Sequence, residues 1–187
     1  MQIKYPEIGI CGLSCRLCPS YHAQGESKCG GCKSKYRMAA GCSFITCAVN
    51  KKRIEFCWEC DESETCERWR THREFSHQYD TFVCYQRLTD NIAFVLQNAV
   101  KAFEKTQRAR EQLLCKMLDG FNEGRSKTYY SIAATVMETA ELKTALSQAK
   151  KASARMEVKE KSKLLHSLLD KVAESKRYHL KLRKYKD

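Results

Sequence analysis

Beyond about Thr89, apolar residues return every three or four positions. In DNIAFVLQNAVKAFEKTQRAREQLLCKMLDGF, the residues Val100, Phe103, Leu113, Leu114, Met117, Leu118 and Phe121 fall near a 3.6-residue period. That pattern predicts an amphipathic helix capped by Thr89 or Asp90 and stopped near Gly120, with a break near Asn98 able to divide it in two. SKTYYSIAATVM and AELKTALSQAKKA predict shorter helices with Ser126 and Thr139 as N-caps. MEVKEKSKLLHSLLDKVAES repeats Val158, Lys161, Leu164, Leu165, Leu168, Leu169 and Val172 on one largely apolar stripe with basic flanks. Four to six helices packed as a bundle are the expectation for this half.

Before about residue 85 the periodicity is lost. Both prolines, Pro6 and Pro19, lie here with most of the glycines, and ten of the twelve cysteines fall between Cys11 and Cys66. A segment so broken by turns has little apolar material for a core, and metal ligation would substitute for one. The fold class expected is mostly α: a small cysteine-rich, metal-stapled N-terminal module over residues 1–85, followed by a basic helical bundle over residues 86–187.

The N-terminus MQIKYPEIGI has no secretory pattern, and no window approaches the roughly 18 apolar residues of a membrane span. A cytoplasmic location follows, where thiols stay reduced and clustered cysteines bind metal or do redox chemistry. Three CxxC pairs stand out: Cys15 with Cys18, Cys29 with Cys32, and Cys57 with Cys60. Each places two sulfurs to one side of a turn, half of a tetrahedral site. Cys15, Cys18, Cys29 and Cys32 form a first quartet, and Cys42, Cys47, Cys57 and Cys60 a looser second one, which predicts two zinc ions. Cys11 and Cys66 remain over, either to replace members of these quartets or to join a different partition. Phe56, Trp58 and Trp69 are expected to pack around the metal.

Cys11, Cys15 and Cys18 also spell CxxxCxxC, the spacing that holds an iron-sulfur cluster in radical-SAM enzymes, so an iron-sulfur or thiol redox enzyme is the alternative. A partial barrel of that kind needs several βα units, and the sequence after Cys66 offers helices instead. The aromatic residue usual before the third cysteine is replaced by Leu17. No HExxH, nucleophile elbow or complete P-loop is found elsewhere.

CGLSCRLCPSY, CGGC, CSFITCA and FCWECDESETC, in that order, resemble the cysteine-rich domain of unknown function 3795 of bacteria and archaea, over roughly residues 8–67. The resemblance implies a zinc-binding module with no assigned activity. Many relatives are similar to EFPC before the last cysteine, where this chain has SETC ending at Cys66.

Charge changes the picture of the second half. The net charge of +12 is carried almost entirely by residues 86–187, which hold 22 Lys+Arg against 12 Asp+Glu. Basic residues interleaved with Tyr178, His179 and Tyr185 in SKRYHLKLRKYKD suit nucleic acid, a ribonucleoprotein or an acidic protein as partner. In FNEGRSKTYY, Gly124, Arg125, Ser126, Lys127 and Thr128 precede a helix and form a candidate anion-binding loop. His166, among leucines, is expected at a packed boundary.

Overall fold

The structure is a computed structural model that describes residues 1–35, 38 and 42–185. It is mostly helical, and no strand occurs among the described residues, only an isolated antiparallel bridge between Ile8 and Ser14. Six α-helices among the described residues are numbered here in chain order: α1 (Ser43–Ile45), running on as a π-helix Thr46–Lys51; α2 (Glu67–Gln78); α3 (Leu88–Phe121); α4 (Lys127–Val136); α5 (Thr139–Ala152); and α6 (Val158–Lys176). Single 3-10 turns occur at Cys15–Leu17, Gly25–Ser27 and Cys57–Glu59. No helix among the described residues is long and apolar enough to cross a membrane.

The break expected near Asn98 falls at Ala99, which adopts φ 65°, ψ 157° inside α3. This region is almost reserved for glycine, so Ala99 stores backbone strain. The break divides the helix's duties. Its first section carries Ile92 and Val95 against the cysteine-rich segment, and its second carries Leu113, Leu114 and Met117 into the bundle.

The bundle core is built by α3 to α6, with Tyr130, Leu142, Leu165 and Leu169 at or near zero exposure. Of the stripe expected on α6, Leu165 and Leu169 are buried while Val158 is 46% exposed, because it sits at the helix entry. Two caps differ from expectation. Helix α3 opens at Leu88 rather than after Thr89 or Asp90, and Glu138 rather than Thr139 precedes α5 because its backbone N–H is taken by the Glu141 carboxylate at 2.8 Å. The buried Arg110 of α3 donates to the carbonyls of Ala134 at 2.9 Å and of Met137, satisfying the end of α4.

Contrary to expectation, the N-terminal segment does build apolar clusters. Ile10, Ile45, Ala48 and Val49 form one, while Ile8 and Phe56 join Val95 and Phe103 of α3 in another. The reason is that α3 supplies the base the segment lacks. Trp69 packs on Leu88 and Ile92, and Phe56 stacks on Trp58 with ring centroids 4.4 Å apart. Gly12 makes the approach close: at φ +89°, a Cβ there would stand 3.1 Å from Ile92 and 3.3 Å from Trp58.

Residues 178–185, within the basic run SKRYHLKLRKYKD that the sequence offers to a partner, lie along the fold in alternation. Tyr178, Leu180 and Leu182 turn onto the bundle core, while His179 and Lys181 face solvent. Arg183 closes this strap on Asp80. Its Nε and Nη2 donate to the two carboxylate oxygens at 3.0 Å each, and its guanidinium also takes the carbonyls of Ser76 at 2.9 Å and His77 at 2.7 Å. Lys186 and Asp187 lie outside the described residues.

Candidate metal centre

Two of the CxxC pairs adopt the same local shape. Cys15–Leu17 and Cys57–Glu59 are each one 3-10 turn, closed by the N–H of Cys18 on the Cys15 carbonyl at 3.0 Å and of Cys60 on that of Cys57 at 3.3 Å. In the first turn the two intervening residues serve the bundle. Arg16 pairs with Glu111 of α3 at 2.6 Å and with Glu7 at 3.1 Å, and Leu17 enters the bundle core. A hydrogen bond ties this turn to the CGGC pair, the Cys32 N–H donating to the Cys15 sulfur at 3.3 Å. Gly31 permits it: at φ +96°, a Cβ would lie 3.1 Å from the Pro6 carbonyl and 3.7 Å from the Cys15 sulfur.

The electrostatics sort the thiols into neighbourhoods. Burial, with the adjacent Cys32 and Cys42 thiols adding to it, pushes Cys11 up to about 12. Cys15 is raised by its hydrogen bond with Cys32, by burial, and by Cys32 and Cys11 as neighbours. Burial followed by Cys11, Cys47, Cys66 and Cys60 pushes Cys57 up to about 12. Cys18 is raised by burial, and Cys29 is its thiol neighbour. Cys11 and Cys15 thus have Cys32 as a common neighbour, Cys57 has Cys11, Cys47, Cys66 and Cys60 around it, and Cys18 is beside Cys29. Cys15 with Cys32 and Cys18 with Cys29 are neighbours inside the first quartet read off the spacing, and Cys11 neighbours both Cys15 and Cys57.

Crowded thiols with raised pKa values are neutral in the absence of a cation, and a bound divalent ion reverses that by stabilising the thiolates. The donor set fits such an ion: soft sulfurs, an N–H aimed at one of them, a glycine cradle, and no disulfide among the described cysteines. Among the described residues no three His, Cys, Asp or Glu side chains close on one point as a finished cage. Cys84 and Cys115 stand apart from these groups, Cys84 buried in the bundle core and pushed up to about 11 by burial.

Cys11, with Cys15 and Cys18 of the first turn and with Cys29, Cys32 and Cys42, lies on the wall of a cavity of about 620 Å³ to which α3 and α4 also contribute. His72 of α2, which the sequence did not single out, is also on this wall. Its ring lies 5.2 Å from that of Tyr85, whose own hydroxyl is raised by burial and, further, by the nearby Cys11, Cys32 and Cys42. Burial lowers the His72 imidazole, so it is neutral near pH 7.

The loop Gly124–Thr128 closes on the side chains of the adjoining Asn122 and Glu123. The N–H groups of Gly124 and Ser126 both donate to the Asn122 side chain at 3.2 Å, and the buried Ser126 hydroxyl bonds Glu123 at 2.7 Å. Arg125 and Thr128 are exposed and Lys127 is half-buried. His166 sits at the expected boundary, stacked on Tyr129 at 3.9 Å and bonded to Ser126 at 2.8 Å. Glu123, raised by burial but lowered more by bonds from Ser162 and Ser126, falls to about 2.

Of the basic run, Lys150, Lys151, Arg155, Lys159, Lys163 and Lys171 are exposed, and the ion pairs among the described residues involve none of them. Tyr178 is packed against the core, whereas Tyr185 is 62% exposed, edge-on to Tyr79.

A thiol-rich segment seated on a helical bundle is the class that fold and site define. Residues 7–71 are a domain of the family described as protein of unknown function (DUF3795). Neither the curated proteins nor the solved structures provide a match to the chain.

Proposed function

We propose that this is a non-enzymatic cytosolic zinc protein whose basic helical face contacts nucleic acid, alone or within a ribonucleoprotein. One zinc ion is assigned to Cys11, Cys15, Cys32 and Cys42, and a second to Cys47, Cys57, Cys60 and Cys66. The observation that supports it is the crowding of thiols: Cys11 near Cys32 and Cys42, Cys15 near Cys32, and Cys57 near Cys47, Cys60 and Cys66 as well as Cys11. Bound zinc would supply folding energy and rigidity to the segment, with no redox role. The chain's own residues do the rest: Arg16 and Leu17 dock the first turn on the bundle, and Lys159, Lys163 and Lys171 offer α6 to phosphates.

Elemental analysis of protein purified without added metal is expected to give two zinc ions per chain. A zinc-free, folded protein would refute the assignment. Binding to a mixed-sequence RNA should weaken steeply between 50 and 200 mM salt, on the order of tenfold or more if several phosphates are neutralised. Salt-insensitive binding, or none at low salt, would remove the polyanion half.

A second reading, an iron-sulfur or thiol redox centre, is favoured by one observation: Cys11, Cys15 and Cys18 all lie on the cavity wall. It requires a brown anaerobic preparation with broad absorbance near roughly 400 nm. A colourless protein with stoichiometric zinc rejects it.

A further inference from the structure

The cavity between the cysteine-rich segment and the bundle is lined by residues with polar atoms that nothing among the described residues satisfies. Ser131 of α4 is 1% exposed and Ser14 is 9% exposed, both line the cavity, and neither hydroxyl has a hydrogen-bond partner among the described residues. The Nε2 of His72 is buried and unpartnered on the same wall. An unsatisfied buried hydroxyl costs about 1–3 kcal/mol, which a ligand group that draws either serine hydroxyl toward the cavity would recover. Between these atoms the wall is apolar, with Leu13, Phe94, Phe103 and Ile132. The volume, about 620 Å³, lies in the range of small-molecule sites.

The charges on this wall are already spent. Arg87 pairs with Asp90 at 3.2 Å and Glu138 at 3.4 Å, and Arg110 is held by backbone carbonyls and by Glu138 at 3.5 Å. An ionised ligand would be desolvated there without a partner, whereas an uncharged one gains the two hydroxyls and the aromatic walls. We infer that the cavity is a binding site for an uncharged organic molecule with an apolar, ring-bearing body and one or two hydrogen-bonding groups reaching Ser14 and Ser131. The site goes beyond the zinc assignment and does not depend on which metal the thiols hold.

The test uses two fluorescent probes of the same ring system on the full chain, with metal content measured on the same sample. Uncharged N-phenyl-1-naphthylamine is expected to saturate at one site per chain, at least tenfold more tightly than its sulfonated relative 8-anilinonaphthalene-1-sulfonate. Filling the cavity from α4 with Ser131→Phe, or from α3 with Thr106→Phe, should weaken it at least tenfold with helicity and metal content unchanged. Should neither variant fold, isoleucine-methyl spectra of the natural chain decide: titration must shift Ile132 and Ile10, which line the cavity, more than Ile54, which does not. Absence of saturable binding, equal affinity for the sulfonate, or an unmoved Ile132 would overturn the inference. A chain with two zinc ions and no probe binding would sink this inference alone. A metal-free chain that binds the probe would sink only the zinc assignment.

Discussion

Arg183 is the place to test whether the C-terminal strap belongs to the fold. Its guanidinium holds both oxygens of Asp80, whose side chain is fully buried, and two carbonyls at the end of α2, while the backbone N–H groups of Arg183 and Tyr85 complete the carboxylate's shell at 2.8 and 2.6 Å. Arg183→Ala removes the only cation on that carboxylate among the described residues. Breaking a buried pair by deleting one partner costs about 3–5 kcal/mol. Arg183 keeps 20% of its side chain exposed, so water recovers part of the loss, and about 3 kcal/mol is expected. For a chain of this size that lowers Tm by about 6–12 °C. Arg183→Lys keeps the charge without the planar fork and should recover less than half of the loss. Burial alone would raise the Asp80 carboxyl, but the bonds from Arg183 and the backbone outweigh it and hold it below its ordinary value. With the folded pKa depressed, the stabilisation is fully present above the unfolded value of about 3.9 and is lost as pH falls through the folded one. The Tm gap between the natural chain and Asp80→Asn should therefore be constant from pH 7 to about 5 and shrink below about 4. Calorimetry reads the gap, and trypsin cleavage after Lys181 reads release of the strap. A Tm within 1 °C of the natural chain, with unchanged cleavage, would refute the reasoning.

Three further predictions concern backbone and ligands. Ala99→Gly should raise Tm by about 2–4 °C, because relief of about 1–3 kcal/mol of strain exceeds the roughly 0.5–1 kcal/mol entropic cost of glycine; a lower Tm would contradict the assigned conformation. Cys11→Ser and Cys57→Ser should each lose one of two zinc ions by elemental analysis, whereas Cys18→Ser keeps both. The reverse pattern, with Cys11→Ser retaining two and Cys18→Ser losing one, would restore the quartets drawn from spacing. Gly31→Ala should destabilise the protein by about 1–3 kcal/mol, read by denaturant unfolding, since its φ of +96° is closed to alanine and the new Cβ crowds the Pro6 carbonyl.

The helices were legible because their stripes repeat locally: Leu113, Leu114 and Met117, or Leu165 and Leu169, report burial from a window of a few residues. The break in α3 was legible to within a residue. The turns at Cys15–Leu17 and Cys57–Glu59 were legible too, since two residues between cysteines favour one. How the pairs combine around an ion was not, because spacing along the chain leaves several partitions of the ten cysteines open. The strap was misread as a charge run. Its signal was present in YHLKLR, where Tyr178, Leu180 and Leu182 alternate with polar residues at the strand period of two. Nothing local marks Asp80 as the partner of Arg183, 103 positions away.

The docking of CRLC carries a consequence for how metal and fold are coupled. Its cysteines belong to the thiol side, while Arg16 is bonded to Glu111 and Leu17 lies within the bundle core. A turn that rotates to satisfy one side disturbs the other, because an arginine paired at 2.6 Å and a leucine packed at 5% exposure have little freedom. Metal loss under the proposed assignment would therefore not stop at the cysteine-rich segment. It would loosen α3 near Glu111 and open the cavity wall that the cysteines share with α3 and α4. Amide exchange around Glu111 and Ile132 should quicken when zinc is chelated, while exchange at Leu169, buried in the bundle away from that wall, should change less. Loss of protection confined to residues 1–66 would show instead that the bundle stands without the thiol segment.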